Sequence, residues 1–345
     1  MRKKLFAAAA AASMAVSSAA VLPGNAESSG SSPEKIRIMA VGDSITDGYW
    51  ETGGYRKYMY CTLEDLGCTG FDLVGPKGAD RESFTYNGKE REYDGNYAGY
   101  SGYAIQYMTG TETRQGIYET LKSGNYIKEY SPDIVLLQIG TNDILSAYND
   151  GITDRLESLV SYILSESGDN GTVVFVSTIP DIDAVTVSDW LWAYGEKKWN
   201  STPEEFADII QEHIDSYNAS IPVMVEKMRS EGKNVRFADI HSVVDMKTDL
   251  YDGVHPNEQG YEKMGKYWAD LLYNYFQEDI STTQPSSGSP EEYDYSTADA
   301  VKLGRFILGR PDHGITPAEN DKFDVIKDNT LDVFDLIRIK QLILT

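Results

Sequence analysis

Gly42-Asp43-Ser44 follows directly on the apolar run Ile36–Val41, so a hydroxyl is delivered at the end of what reads as a buried strand. A serine is a weak nucleophile until a base takes its proton, and the base needs a group that orients it. Asp252-Gly-Val-His-Pro-Asn257 supplies both: His255 as the base, biased toward extended backbone by Pro256, and Asp252 as the orienting carboxylate. Gly140-Thr-Asn-Asp143 closes another apolar run, Ile134–Ile139, and places Asn142 just past its end. Singly, each has an ordinary alternative: Ser44 as a helix cap, His255 as a surface histidine, the Asn142 segment as turn chemistry. Together they form a nucleophile, a base and an orienting acid, with an amide alongside.

Bringing these residues together requires a scaffold whose strand ends share one rim. Five apolar segments read as strands: Ile36–Val41, Phe71–Gly75, Ile134–Ile139, Val173–Ser177 and Asn234–Asp239. Helical sequence at Tyr55–Leu66, Asp154–Leu164 and Pro203–Arg229, and an amphipathic helix marked by Tyr261, Met264, Trp268, Leu271 and Tyr275, alternates with them. Such alternation predicts an α/β fold, a parallel five-stranded sheet with helices on both faces and ligands beyond the strands' carboxyl ends. Pro76–Gly110, rich in Gly, Tyr and Asn without a clean period, reads as long surface loops.

The 345-residue chain carries a net charge of −23, which argues against nucleic acid and anionic membranes as partners. Arg2, Lys3 and Lys4 precede a short apolar, Ala-rich run, and small residues near Gly24-Asn25-Ala26 offer a cleavage site. Residues 1–26 therefore read as a secretory signal peptide, and a secreted, extracellular protein is expected. Export permits a disulfide between Cys61 and Cys68, provided that Gly67 ends the helix and turns the chain back; a bridge and two buried thiols both remain open.

Gly42-Asp43-Ser44, Gly140-Thr141-Asn142-Asp143 and Asp252-Gly-Val-His255 resemble three of the sequence blocks of the SGNH, or GDSL-like, hydrolase superfamily of esterases and lipases. Tyr97-Ala-Gly-Tyr-Ser-Gly-Tyr103 stands where the remaining block belongs. The resemblance covers Lys35 to Glu278 and implies a flavodoxin-like three-layer α/β/α fold. It implies Ser44 as nucleophile, His255 as base then acid, and Asp252 as its orienter. The oxyanion hole would comprise the Ser44 and Gly102 N–H groups, with Gly99 as the alternative glycine, and the Asn142 amide. Asp43 and Asp143 would brace the loops, and the chemistry would use no cofactor. In detail the blocks look closest to carbohydrate esterase family 3, which deacetylates xylan. Tyrosines between 86 and 107 and the tryptophans Trp190, Trp192 and Trp199 could give sugar rings a platform, or could simply pack within the loops. A lipase, thioesterase or arylesterase of the same superfamily is the competing expectation; a non-catalytic carbohydrate-binding component is the alternative of another class.

Beyond a Ser/Thr/Pro linker at 279–293, which closes an esterase domain spanning 33–278, Asp299–Leu308 and Asp335–Leu344 repeat one apolar pattern. This module, 294–345, resembles a type I dockerin, a small helical pair that binds calcium and docks enzymes onto a cohesin domain of a cellulosomal scaffoldin. By that resemblance Asp324, Asp328, the Thr330 carbonyl, Asp332 and Asp335 would ligate Ca²⁺ in the second repeat, where oxygen donors at these spacings suit the ion. Ile326 stands at a ligand position and Asn329 replaces the usual turn glycine. In the first repeat Gly288 and Pro290 fall at ligand positions, which puts calcium there in doubt. Thr297, Ala298, Val333 and Phe334 match cohesin-facing positions. The implied partners are an acetylated polysaccharide and a cohesin, with a monomeric catalytic domain.

Overall fold

The structure is a computed structural model. It describes residues 35–109, 113–146, 151–187, 202–281 and 295–307, together with 310, 314–316, 319–325, 331 and 339. The signal peptide, the Trp190–Trp199 insertion and most of the second C-terminal repeat lie outside the described residues.

The strands are β1 (Ile36–Gly42), β2 (Phe71–Leu73), β3 (Glu82–Tyr86), β4 (Lys89–Tyr93), β5 (Ala98–Gly99), β6 (Ile134–Gln138), β7 (Val173–Ser177) and β8 (Val235–Ala238). The main sheet runs β2-β1-β6-β7-β8 with every pairing parallel. Because β2 pairs with β1 only from Ile36 to Ile38, the same edge of β1 is free further on, and the short β5 takes it over at Val41 and Gly42. This sixth strand is absent from the five-stranded expectation.

Alternation along the central strands divides their side chains between two cores. Met39, Val41, Val135, Leu137, Val174 and Val176 join one; Ile38, Ala40, Ile134, Leu136, Val173 and Phe175 join the other. The first core is covered by helices α3 (Ile117–Gly124), α6 (Ile152–Glu166) and α7 (Pro203–Ser230), and the second by α2 (Gly54–Asp65) and α8 (Glu258–Ser281). Short helices α1 (Ser44–Asp47), α4 (Tyr126–Tyr130) and α5 (Thr141–Leu145) complete this part of the fold. The result is three layers, with strands buried on both faces as their continuous apolar runs require. Helix α8 runs on to Ser281, past Glu278, where the domain edge was expected.

The expectation of loops throughout Pro76–Gly110 is corrected by the structure. β3 and β4 form an antiparallel hairpin whose two-residue connection is Asn87-Gly88, both at positive φ. That dipeptide is the turn chemistry a tight hairpin demands. The hairpin lies against α2, with Phe84 and Tyr86 edge-on to Tyr58.

Helix α2 ends as Gly67 requires. Its φ of +84° lets Cys68 N–H donate to Leu63 C=O and Gly67 N–H to Glu64 C=O, a paired closure of the helix end. Cys61 and Cys68 are nevertheless free thiols, and burial pushes the Cys61 thiol up to about 11.

Near the C-terminus, α9 (Thr297–Ile307) and α10 (Asn320–Phe323) share a small core of Ala300, Leu303, Ile315, Phe323 and Ile339. Ser296 and Asp299 cap α9 reciprocally through side chain and backbone, and Lys322 donates to the other Asp299 oxygen at 2.6 Å. Among the described residues no helix is long and apolar enough to cross a membrane.

Candidate active site

Ser44 opens α1 immediately after β1, and Asn142 lies in the first turn of α5 after β6, the neighbouring strand. From β1 the sheet grows outward in both directions, to β2 on one side and to β6, β7 and β8 on the other. Such a reversal opens a crevice at the strands' carboxyl ends, and the predicted residues gather there. Burial leaves Ser44 5%, Asn142 6% and His255 8% exposed.

His255 arrives on a tight loop. Tyr251 N–H donates to His255 C=O, Asn257 N–H to Asp249 C=O, and Asp183 N–H pins the loop through Gly253 C=O at 2.8 Å. Gly253 has φ +88°, and a Cβ there would stand 2.6 Å from Val187 Cγ2. Glycine is the residue this corner allows.

The three side chains form one line. His255 Nε2 lies 2.9 Å from Ser44 Oγ, and His255 Nδ1 lies 2.8 Å from Asp252 Oδ2. Asp252 Oδ1 accepts the backbone N–H groups of Val254 and His255, and Trp50 Nε1–H donates to Oδ2 at 2.8 Å. Burial works to raise the Asp252 pKa, but the hydrogen bonds from His255 and Trp50 outweigh it and hold the carboxyl well below its usual range. An ionised Asp252 only accepts, so Nδ1 carries the imidazole proton and Nε2 is left to take one from Ser44.

Asp43 and Asp143 brace the site, as expected. Asp43 Oδ1 accepts Ile45 N–H and caps α1; complete burial pushes its carboxyl up to about 6. Asp143 accepts Ile105 N–H, which anchors the loop carrying Gly102, and Arg155 at 2.9 Å; burial raises its pKa against both. Gly99 is committed to the sheet through β5, whereas Gly102 sits in a turn at φ +82°.

Two residues escaped sequence reasoning. Arg114 donates to Asn142 Oδ1 at 3.2 Å, to Gly102 C=O at 3.4 Å and to Ser146 Oγ at 3.1 Å. Asn142 Nδ2 donates to Tyr103 C=O at 2.9 Å, so the amide is held at both ends. Trp50 adopts φ +67°, uncommon for a bulky side chain, and buttresses Asp252. Nothing in the spacing links Arg114 or Trp50 to the blocks that they support. Of the tyrosines between 86 and 107, Tyr86 donates to Glu262, Tyr93 is buried, Tyr97 covers Arg56, Tyr100 stacks with Tyr103, and Tyr107 is exposed.

The chain is 38% identical, over 349 aligned residues, to the multidomain esterase of Ruminococcus flavefaciens. The match takes in 96% of this chain and spans 42% of that esterase. Among solved structures, the Clostridium thermocellum family 3 carbohydrate esterase matches at 26% identity and TM-score 0.48, over 70% of this chain and 98% of its own. A family 3 carbohydrate esterase from Talaromyces cellulolyticus matches at 20% identity and TM-score 0.49, with the same two coverages. The sequence profile of one family, GDSL-like Lipase/Acylhydrolase, matches residues 38–268, from the first strand into α8, and takes in Ser44, Asn142, Asp252 and His255. The chain belongs to the GDSL-like lipase/acylhydrolase family.

Proposed function

We propose that the protein is a secreted serine carbohydrate esterase that removes acetyl groups from xylan through an acyl-enzyme. The observation that carries this reading is the unbroken line Ser44 Oγ, His255 Nε2, His255 Nδ1, Asp252 Oδ2. Ser44 Oγ attacks the acetyl carbonyl as His255 Nε2 takes its proton, while Asp252 steadies the imidazolium. As the first helical residue of α1, Ser44 has an N–H without an intrahelical acceptor, and it serves the developing oxyanion together with Gly102 N–H and the second Asn142 Nδ2 hydrogen. His255 returns the proton to the departing sugar oxygen, and water, activated by the same imidazole, hydrolyses the acetyl-serine.

Acetate release from acetylated xylan, set against hydrolysis of long-chain acyl esters, separates this reading from a lipase, thioesterase or arylesterase. Preference for the long chains overturns the carbohydrate assignment while leaving the nucleophile in place.

The division into a signal peptide at 1–26, an esterase domain at 33–278, a linker at 279–293 and a dockerin-like module at 294–345 belongs to the same proposal. Asp324, Asp328, Asp332, Asp335 and the Thr330 carbonyl would hold Ca²⁺; of these Asp324 is described, 7% exposed, and the set offers the hard oxygen donors calcium prefers. In the first repeat the Asp299 oxygens accept hydrogen bonds from Ser296 and Lys322. Thr297, Ala298, Val333 and Phe334 would face a cohesin. Binding to cohesins that disappears in chelator supports the module; undiminished binding in chelator overturns it.

A further inference from the structure

We propose that Tyr49, Trp50 and Tyr251 form a stacking subsite for a sugar ring of the ester substrate, a proposal that rests on the carbohydrate esterase reading above. The three rings are contiguous: Tyr49 and Trp50 meet edge-on at 5.0 Å, and Trp50 and Tyr251 lie 5.1 Å apart at 35°. They are also open, at 43%, 58% and 65% exposure. Exposed rings joined into one patch mark contact surfaces more often than isolated ones do.

Position ties the patch to the reaction. The Tyr49 ring stands 4.5 Å from the His255 imidazole, and the Trp50 indole N–H is bonded to Asp252, which fixes the plane of the indole. Trp50 is held there at φ +67°, a strained backbone of the kind that persists where the surroundings impose it. A ring seated on this ledge is the immediate neighbour of the ester that Ser44 attacks.

The lining behind the ledge indicates the chemistry of the occupant. A cavity of about 390 Å³, within the usual size of ligand sites, adjoins Tyr49 and Trp50 and is lined further by Asp47, Thr52, Arg56, Glu82 and Tyr97. A pyranose presents an apolar C–H face to an aromatic ring and hydroxyls at its rim, which carboxylates and a threonine hydroxyl can accept. An acyl chain would instead need apolar walls, whereas Asp47, Arg56 and Glu82 line this cavity with charged groups.

The test compares kcat/KM on acetylated xylo-oligosaccharide with that on 4-nitrophenyl acetate, which has no sugar. Tyr251→Ala should lower the saccharide-to-small-ester ratio about tenfold, mainly through KM. Trp50→Phe keeps a ring but loses the N–H to Asp252, so it should lower kcat on both substrates while holding the ratio within about twofold; Trp50→Ala should lose both. On Ser44→Ala protein, the saccharide should quench tryptophan fluorescence on binding, and Tyr251→Ala added to it should weaken that binding about tenfold. Equal losses on the two substrates from Tyr251→Ala, with binding unchanged, would overturn the subsite. A loss confined to 4-nitrophenyl octanoate would overturn it in favour of an acyl ledge. Wild-type protein that cleaves 4-nitrophenyl acetate yet releases nothing from the saccharide overturns the carbohydrate reading itself, before any variant is compared.

Discussion

The Arg114 guanidinium donates to the side-chain oxygen of Asn142 at 3.2 Å and thereby settles which end of that amide is the donor. With the oxygen turned to the cation, the amide nitrogen faces the other way, where Tyr103 C=O takes one hydrogen. Removing the cation frees the amide to rotate. Losing one oxyanion donor outright costs roughly 10²–10³ in rate, so Arg114→Gln should lower kcat about 10–100-fold and leave KM within about twofold. Arg114→Lys should recover part of the loss. Steady-state kinetics checks this, and a change confined to KM would speak for substrate binding instead.

Asp252→Asn keeps the shape of the loop but replaces an obligate acceptor of His255 Nδ1–H with a group that can also donate. The wrong tautomer is then favoured, and kcat should fall by about 10⁴ with the thermal midpoint changed by only a few degrees. A loss below tenfold in kcat would mean that Asp252 does not orient the base.

Asp43 gives stability a pH dependence of unusual sign. Its carboxyl is raised from 3.8 to about 6 in the folded protein, so between those values the native state keeps a proton that the unfolded chain has lost. Stability contributed by this group therefore falls as pH rises from about 4 to about 6 and is flat above. Asp43→Asn removes the ionisation while keeping the acceptor for Ile45 N–H. In denaturant titrations the variant should gain on wild type across that window by on the order of 3 kcal/mol. A gap independent of pH would contradict the account.

Gly253→Ala tests how the His255 loop is placed. The new Cβ would stand 2.7 Å from Asp183 C=O as well as close to Val187, at a φ that L-residues avoid. A destabilisation of about 1–3 kcal/mol should accompany a drop in kcat, because the loop must move and His255 moves with it. Unchanged denaturation and activity would show that the corner has slack.

The layers and the triad were legible because each rests on a local signal. Continuous apolar runs ending in Gly-Asp-Ser or Gly-Thr-Asn announce buried parallel strands and their functional ends, and Pro256 announces the loop that bears His255. The β3–β4 hairpin was equally legible through Asn87-Gly88, but the abundance of Gly, Tyr and Asn around it masked the signal. Arg114 and Trp50 are a different case. Arg114 meets Asn142 across 28 residues of chain and Trp50 meets Asp252 across 202, pairings that tertiary packing alone creates. Cys61 and Cys68 show the limit from the other side: Gly67 turns the chain back as anticipated, and the two thiols still do not join.

Acetate release by Ser44→Ala tests most directly the proposal that Ser44 carries the acyl group. A fall of roughly 10⁴–10⁶ in kcat on acetylated xylo-oligosaccharide is expected, with folding cooperativity intact. Acetate release within tenfold of wild type would contradict it.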